Sequence, residues 1–154
     1  MEEAFCHAAW RGASLGYTRP PLHPFDPGGL LTTSDPSPIR VLADARRLGE
    51  GQGVRFAVVV NGVSRDAFAV RYKQALFAYV NQCRHENLQL DFGDARFFDD
   101  EFEGLLCVHH GARYRPETGE CFEGPCAGAR LTALQLELRG DELWCVPPPA
   151  PLSG

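Results

Sequence analysis

The chain reads as an all-β domain, a sandwich or barrel of short antiparallel strands. Three observations predict this. The apolar runs are short and rich in β-branched residues, as in residues 54–60. Turn signals follow at close spacing, among them Asn61-Gly62 and Gly140-Asp141. One run, Leu131-Thr132-Ala133-Leu134-Gln135-Leu136-Glu137-Leu138, alternates with period two, which suits a strand with one face buried.

The elements follow in order. Five of the twelve prolines lie between Pro20 and Pro36, among Gly28, Gly29, Ser34 and Ser37. Neither the helical nor the strand period holds there, so residues 1–37 read as an irregular arm. Strands are expected at 39–42, 54–60, 67–72 and 75–80. Asn61-Gly62 is a strong hairpin turn after the second, and polar Lys73-Gln74 joins the last two. A loop with Asp91, Asp94, Asp99, Asp100, Glu101 and Glu103 is interleaved with Phe92, Phe97, Phe98 and Phe102. It reads as a solvated loop with a few anchoring aromatics, with docking of a basic partner as the alternative. Leu105-Leu106-Cys107-Val108 comes next, then a hairpin of 113–115 and 120–122 across Glu117-Thr118-Gly119. The alternating strand 131–138 turns at Gly140-Asp141 into 142–146, where Trp144 reads as core. Residues 147–154 form a proline-rich tail that suits a polyproline II exit. One domain over 38–146 thus lies between an arm and a tail, with no internal repeat or heptad.

Composition narrows the function classes. A chain of 154 residues has room for one real core, and 44% hydrophobic with 23% charged residues is ordinary for a globular protein. A net charge of −5 with no basic stripe argues against a nucleic-acid partner. The start, Met1-Glu2-Glu3-Ala4-Phe5, is acidic and has no apolar signal region. Arg46-Arg47 lacks the apolar run of a twin-Arg signal, and no stretch is long and apolar enough for a membrane span. The six cysteines could pair as three disulfides, but a chain of this size without an export signal does not need them. A cytoplasmic location is expected, with cysteines that bind no metal as reduced thiols.

The chemistry is concentrated in two matched clusters. Cys83-Arg84-His85 is followed by twenty-one residues and then Cys107-Val108-His109-His110-Gly111. Thiolate and imidazole together select zinc, copper or iron over calcium or magnesium. One Cys and one His per loop is unusual for zinc, whose common sites pair like with like at fixed spacings. The arrangement suits a binuclear site in which one metal takes both thiolates and the other both imidazoles. An isolated reading of Cys107 as a plain core cysteine is weaker, given its spacing to His110.

The pattern resembles the Rieske iron–sulfur domain, whose fingerprint is C-x-H, a spacer, then C-x2-H-G. Gly111-Ala112-Arg113-Tyr114 looks like the family's continuation after the ligand His, Thr118-Gly119-Glu120 like its next turn, and Gly124-Pro125 like the proline loop that shields the cluster. The resemblance covers roughly residues 38–146. It implies stacked antiparallel sheets, three in number, with a small cluster-binding subdomain inserted between core strands. It also implies one [2Fe–2S] cluster, with Cys83 and Cys107 on one iron and His85 and His110 on the other. Such clusters span about −150 to +300 mV, above all-cysteine plant-type clusters. The cluster is formally neutral when oxidised and gains one negative charge on reduction, which costs less than adding an electron to an all-thiolate cluster.

Spacing alone would also allow His109, which copies the first motif. The family spacing and Gly111 favour His110, and His109 falls to the loop rim as an exposed polar residue or a docking modulator. Respiratory members carry an extra cysteine in each loop; the matching positions here are Leu88 and His109, so that disulfide cannot form. Those members place a serine after H-G, where this chain has Ala112. A lost hydrogen bond to sulfur lowers the potential. Tyr114 sits where they have a tyrosine that bonds a ligand thiolate; otherwise it is a half-buried strand aromatic. Ala112, Tyr114 and Pro125 are therefore the expected tuning positions, and the potential is expected at the low end, raised slightly by Tyr114. Cys121 and Cys126 are close enough for a disulfide or a second metal, but with no further thiol pair nearby they read as small packing residues. His7 and His23 have no visible ligand partners.

The function implied is that of a soluble one-electron carrier. A catalytic oxygenase subunit needs a second iron on a downstream two-His-one-carboxylate triad. No histidine follows His110, and only 44 residues remain, so a complete oxygenase is not expected. The chain looks like a stand-alone Rieske ferredoxin working between a flavin-dependent reductase and a terminal oxygenase. Alternatives are the small subunit of a nitrite reductase-like complex, a zinc-binding structural module using the same four ligands, and a cluster-free docking domain. No catalytic residue is expected; the chemistry belongs to the partner enzymes.

Overall fold

The computed structural model describes residues 37–149. The arm expected over 1–37, with Cys6, His7 and His23, lies outside the described residues except for Ser37, as does the tail beyond Pro149. Nine strands follow in order: β1 (Ile39–Leu42), β2 (Gly53–Val60), β3 (Val63–Tyr72), β4 (Ala75–Val80), β5 (Leu105–Leu106), β6 (Arg113–Tyr114), β7 (Cys121–Glu123), β8 (Ala133–Arg139) and β9 (Glu142–Val146). A 3-10 turn, Ala45–Arg47, follows β1, with the Asp44 carboxylate accepting from the Arg46 N–H at 3.0 Å. All pairings among the strands are antiparallel.

The strands make a ladder in the order β1-β9-β8-β4-β3-β2 and a separate sheet β5-β6-β7. The ladder changes partner within β8. Ala133 and Leu134 pair with β4, and Gln135 to Arg139 pair with β9. The result is three antiparallel sheets, two of them sharing β8, as the family resemblance implied.

β3 shows how the layers stack. Ala67, Phe68, Ala69 and Val70 are all fully buried. The alternation of Cβ directions sends the two alanines to one side and the two larger residues to the other. Ala67 and Ala69 pack with Val58, Ala78, Leu134, Leu143 and Cys145 in one core. Phe68 and Val70 pack with Tyr79, Cys83, Leu90, Phe97, Cys107 and Tyr114 in the other. The central sheet is therefore covered on both faces. Its second face is covered by the residues between β4 and β8, and since those two strands are neighbours, this is an insertion between paired strands.

Two hairpin turns set the register of the central sheet. Asn61 and Gly62 both have positive φ, 52° and 76°, as the sequence signal requires. Lys73 and Gln74 adopt the same left-handed geometry, φ 49° and 64°, without a glycine. The Glu50 carboxylate accepts from both of their N–H groups and offsets that strain. β3 begins four residues before the sequence expectation, at Val63. Val63 to Asp66 are exposed and pair with β2 but not with β4, so burial leaves no period to read. Trp144 corrects another expectation. It is half-buried, on the opposite side of β9 from Leu143 and Cys145, under Arg139 at 4.8 Å, and its indole donates to Glu142 at 3.0 Å.

Candidate metal centre

Two loops of the insertion are built on one hydrogen-bond frame. In the first, the Cys83 N–H donates to Leu88 O at 2.6 Å and Cys83 O accepts from Asn87 at 3.0 Å. In the second, the Cys107 N–H donates to Ala112 O at 2.8 Å and Cys107 O accepts from Gly111 at 3.0 Å. The offsets from each cysteine are the same. So is the backbone: Asn87 and Gly111 both take the left-handed conformation, φ 58° and 73°, which Asn and Gly tolerate best. Each loop curls its next residues around its own sulfur. Backbone N–H groups of His85 and Glu86 favour ionisation of the Cys83 sulfur, and those of His109 and His110 favour that of the Cys107 sulfur. The Val108 N–H donates to Leu90 O at 2.9 Å and fastens one loop to the other.

Thiols and imidazoles face opposite ways. Cys83 and Cys107 are buried at 2% and 1% exposure, whereas His85 and His110 are exposed. The two imidazole rings meet edge to face at 4.9 Å between centroids. His109 does not join them; its ring packs on Phe92 at 5.5 Å. The two thiols influence each other's ionisation. Burial works against ionising Cys83, but the Tyr114 hydroxyl, the His85 N–H and the Cys107 thiol outweigh it, and Cys83 falls below the usual thiol value. Burial pushes Cys107 up; the His109 N–H opposes this, and the bond with Cys83 adds to it. The pair therefore ionises first at Cys83.

Three further positions lie around the thiols. Tyr114 on β6 is fully buried, with its hydroxyl 3.2 Å from Cys83 Sγ, 3.1 Å from Cys126 Sγ and 3.0 Å from the Arg84 N–H that donates to it. It is not the half-buried strand aromatic that was the alternative. Ala112 is fully buried beneath the 124–128 turn. Gly124 has φ +104°, and a Cβ there would sit 2.8 Å from Ala112 Cα. Only glycine permits that approach. Pro125 follows it, exposed, on the loop that lies against Ala112. Cys121 and Cys126 bind no disulfide; their sulfurs are 3.2 Å apart.

The family profile for the Rieske [2Fe-2S] domain matches residues 40–139. The chain belongs to that family. Its cofactor is a [2Fe–2S] cluster. Among solved structures, the Rieske chain is similar to the ferredoxin of carbazole 1,9a-dioxygenase from Nocardioides aromaticivorans IC177, with 28% identity and a TM-score of 0.58, covering 73% of this chain and 99% of that one. A ferredoxin-sized chain in a complex of reduced oxygenase and oxidized ferredoxin of carbazole 1,9a-dioxygenase matches at 21% identity and a TM-score of 0.57, over 71% of this chain and 92% of that one. The terminal oxygenase of carbazole 1,9a-dioxygenase from Novosphingobium sp. KA1 shares the fold at 15% identity and a TM-score of 0.58, but only 30% of that chain is covered. No curated protein matches the sequence.

The Rieske donors fit a two-iron cluster. Two buried thiols, one of them bonded to Tyr114, and two adjacent exposed imidazoles divide into one soft pair and one borderline pair. Donor atoms of His85, Glu86 and His110 also lie within 4.8 Å of one another. A single ion held by these three would leave both buried thiols unused.

The residues that hold the loops in place were not singled out by sequence. Asn81, at the end of β4, donates to Asp91 Oδ1 at 2.8 Å and accepts from the Leu90 N–H at 2.8 Å. Asp91 Oδ2 accepts from Gly93 and Ala95, each at 3.0 Å, with Arg55 at 3.6 Å. Asp99 accepts from Arg113 and from the Glu103 N–H. Asp91 and Asp99, read as part of a solvated acidic loop, are instead buried at 2% and 8%. Phe97 anchors this loop in the core by stacking on Phe68 at 4.0 Å, while Phe92 and Phe102 remain exposed. An Asn at a strand end, ten residues before an Asp, was the available signal.

Proposed function

We propose that this chain is a one-electron carrier of the Rieske ferredoxin type, passing electrons from a flavin-dependent reductase to a terminal oxygenase. In this reading Cys83 and Cys107 hold one iron, and His85 and His110 the other. Its strongest support is the likeness that runs along 99% of the Nocardioides ferredoxin, against 30% of the Novosphingobium oxygenase. The exposed imidazole pair supports it too, because electron transfer to a partner needs the ligands of one iron near the surface.

The cluster supplies reversible one-electron storage when bound. The chain's own residues prepare its place. The matched loops aim two N–H groups at each sulfur and stabilise thiolate. The fully buried Tyr114 hydroxyl would donate to a Cys83 thiolate. Ala112 offers no hydroxyl, so that donor is missing from the second loop. Leu88, His109 and Phe92 present an exposed, partly apolar rim beside the imidazoles, suited to a transient partner. A cytoplasmic setting belongs to the same proposal; the described cysteines are free thiols, which suits a reducing compartment.

The test is reconstitution. Purified chain is added to a ferredoxin-dependent reductase with NAD(P)H and to a carbazole-dioxygenase-type oxygenase. The chain should be reduced by the first and should restore product formation by the second. Reduction without transfer to any oxygenase would contradict the acceptor half of the reading.

A further inference from the structure

The insertion contains a second pair of thiols that the electron-carrier reading does not use. Cys121, on β7, and Cys126, in the turn after it, have sulfurs 3.2 Å apart. A disulfide requires about 2 Å. The pair is also wired to the proposed cluster site: Cys126 Sγ is 3.1 Å from the Tyr114 hydroxyl, which is 3.2 Å from Cys83 Sγ. We infer that Cys121 and Cys126 form a reversible redox pair, oxidised to a disulfide by a low-molecular-weight disulfide, and that this oxidation lowers the potential of the cluster through Tyr114. The second half rests on the ligand assignment above.

The geometry allows closure from one side. Cys121 is buried, and both its backbone groups are bonded: its N–H donates to Ala129 O and its O accepts from Gly128, each at 2.8 Å. Cys126 is half-buried, on a turn whose residues 122–125, 127 and 128 are exposed. Cys126 is therefore the sulfur that an oxidant reaches and the one that moves. Its thiolate attacks one sulfur of the oxidant, and one small thiol leaves. Cys121 then loses its proton and attacks the Cys126 sulfur of the mixed disulfide, releasing the second small thiol. Two electrons pass from the two protein thiols to one disulfide, which ends as two thiols.

Proton counting links this to Cys83. A ligand thiolate has no proton, so Tyr114 must be the donor to it. The Tyr114 oxygen is then left to accept, from the Arg84 N–H and from the Cys126 S–H, which it shares with the weaker sulfur acceptor of Cys121, whose own S–H donates to Glu123 O. A phenol that accepts two hydrogen bonds is a stronger donor than one that accepts one. Oxidation removes the Cys126 proton. It also draws that sulfur toward Cys121. Both changes weaken the Tyr114 bond to Cys83, and a weaker bond to a ligand sulfur lowers the potential.

The experiment uses the full-length protein with its cluster. Anaerobic samples are treated with oxidised glutathione or with dithiothreitol, alkylated, and divided between peptide mapping and potentiometric titration. The expected result is a cross-linked Cys121–Cys126 peptide after oxidised glutathione, a lower midpoint than in the reduced sample, and recovery of both on reduction. Cys126→Ser, which keeps a donor to Tyr114, should hold its midpoint under both treatments. Alkylation of both cysteines after the oxidant, a persistent glutathione adduct on Cys126, or a cross-link with an unmoved midpoint would each overturn the inference. Absence of iron and sulfide would overturn the electron-carrier reading instead, while the peptide map still decides the redox pair.

Discussion

His109 and His110 are adjacent in sequence and face different neighbours. His110 lies against His85, and His109 lies against Phe92. If His110 holds iron and His109 does not, His110→Ala should lose most of its bound iron and its visible absorption, and His109→Ala should keep both. Metal analysis on the two purified variants checks this. Tyr114 permits a finer prediction. Among the described residues, it is the side chain other than a cysteine whose hydroxyl bonds a buried sulfur. Tyr114→Phe removes that donor without opening a cavity, so the midpoint should fall while iron content holds. An unmoved midpoint in redox titration would show that the bond does not reach the cluster.

At the scale of elements, the hydrogen-bond frame of the loops determines where the ligands sit. Gly124 lets the proline-bearing turn close on Ala112. Gly124→Ala adds a Cβ to a left-handed backbone and into Ala112, and should cost about 1–3 kcal/mol in urea denaturation. Asn81→Ala leaves a buried Asp91 oxygen and the Leu90 N–H unpaired. It should cost about 1–3 kcal/mol and loosen the first loop, visible as faster loss of absorbance on dilution into chelator. Much of this scale was legible. The Asn61-Gly62 turn lies where the sequence places it, while β8 begins two residues later than expected, at Ala133, and leaves Leu138 exposed. The left-handed geometry of the Lys73-Gln74 joint and the early start of β3 were not legible, because the first depends on a distant carboxylate and the second on pairing without burial. The acidic loop misled for a related reason. Composition cannot distinguish a solvated Asp from one that accepts backbone N–H groups in the core, and Asp91 and Asp99 do the latter.

At the scale of the whole molecule, one sheet supports two cores. Small residues of β3 face the β8–β9 side, and large ones face the insertion that holds the candidate ligands. The candidate ligands Cys83, His85, Cys107 and His110 stand out in the sequence because metal chemistry restricts residue type and spacing; the contacts of Asn81 with Asp91 and of Cys126 with Tyr114 do not, because packing brings those residues together. The first core also sets an alkaline limit. Cys145 on β9 is fully buried, and burial raises its thiol from 9.0 to about 11. Above the unfolded value the unfolded chain releases a proton that the folded chain retains. Stability is therefore fully present below pH 9 and declines up to about pH 11. Cys145→Ala should be less stable near neutrality but show a shallower fall across that window, read from urea midpoints at several pH values. The proposed electron transfer depends most on the cluster and its mixed ligands. The direct measurement is iron, zinc and acid-labile sulfide content, together with the low-temperature EPR spectrum of the dithionite-reduced protein. Two irons and two sulfides per chain with a spectrum of the mixed His/Cys type are expected. A colourless protein carrying one zinc and no sulfide would contradict the account.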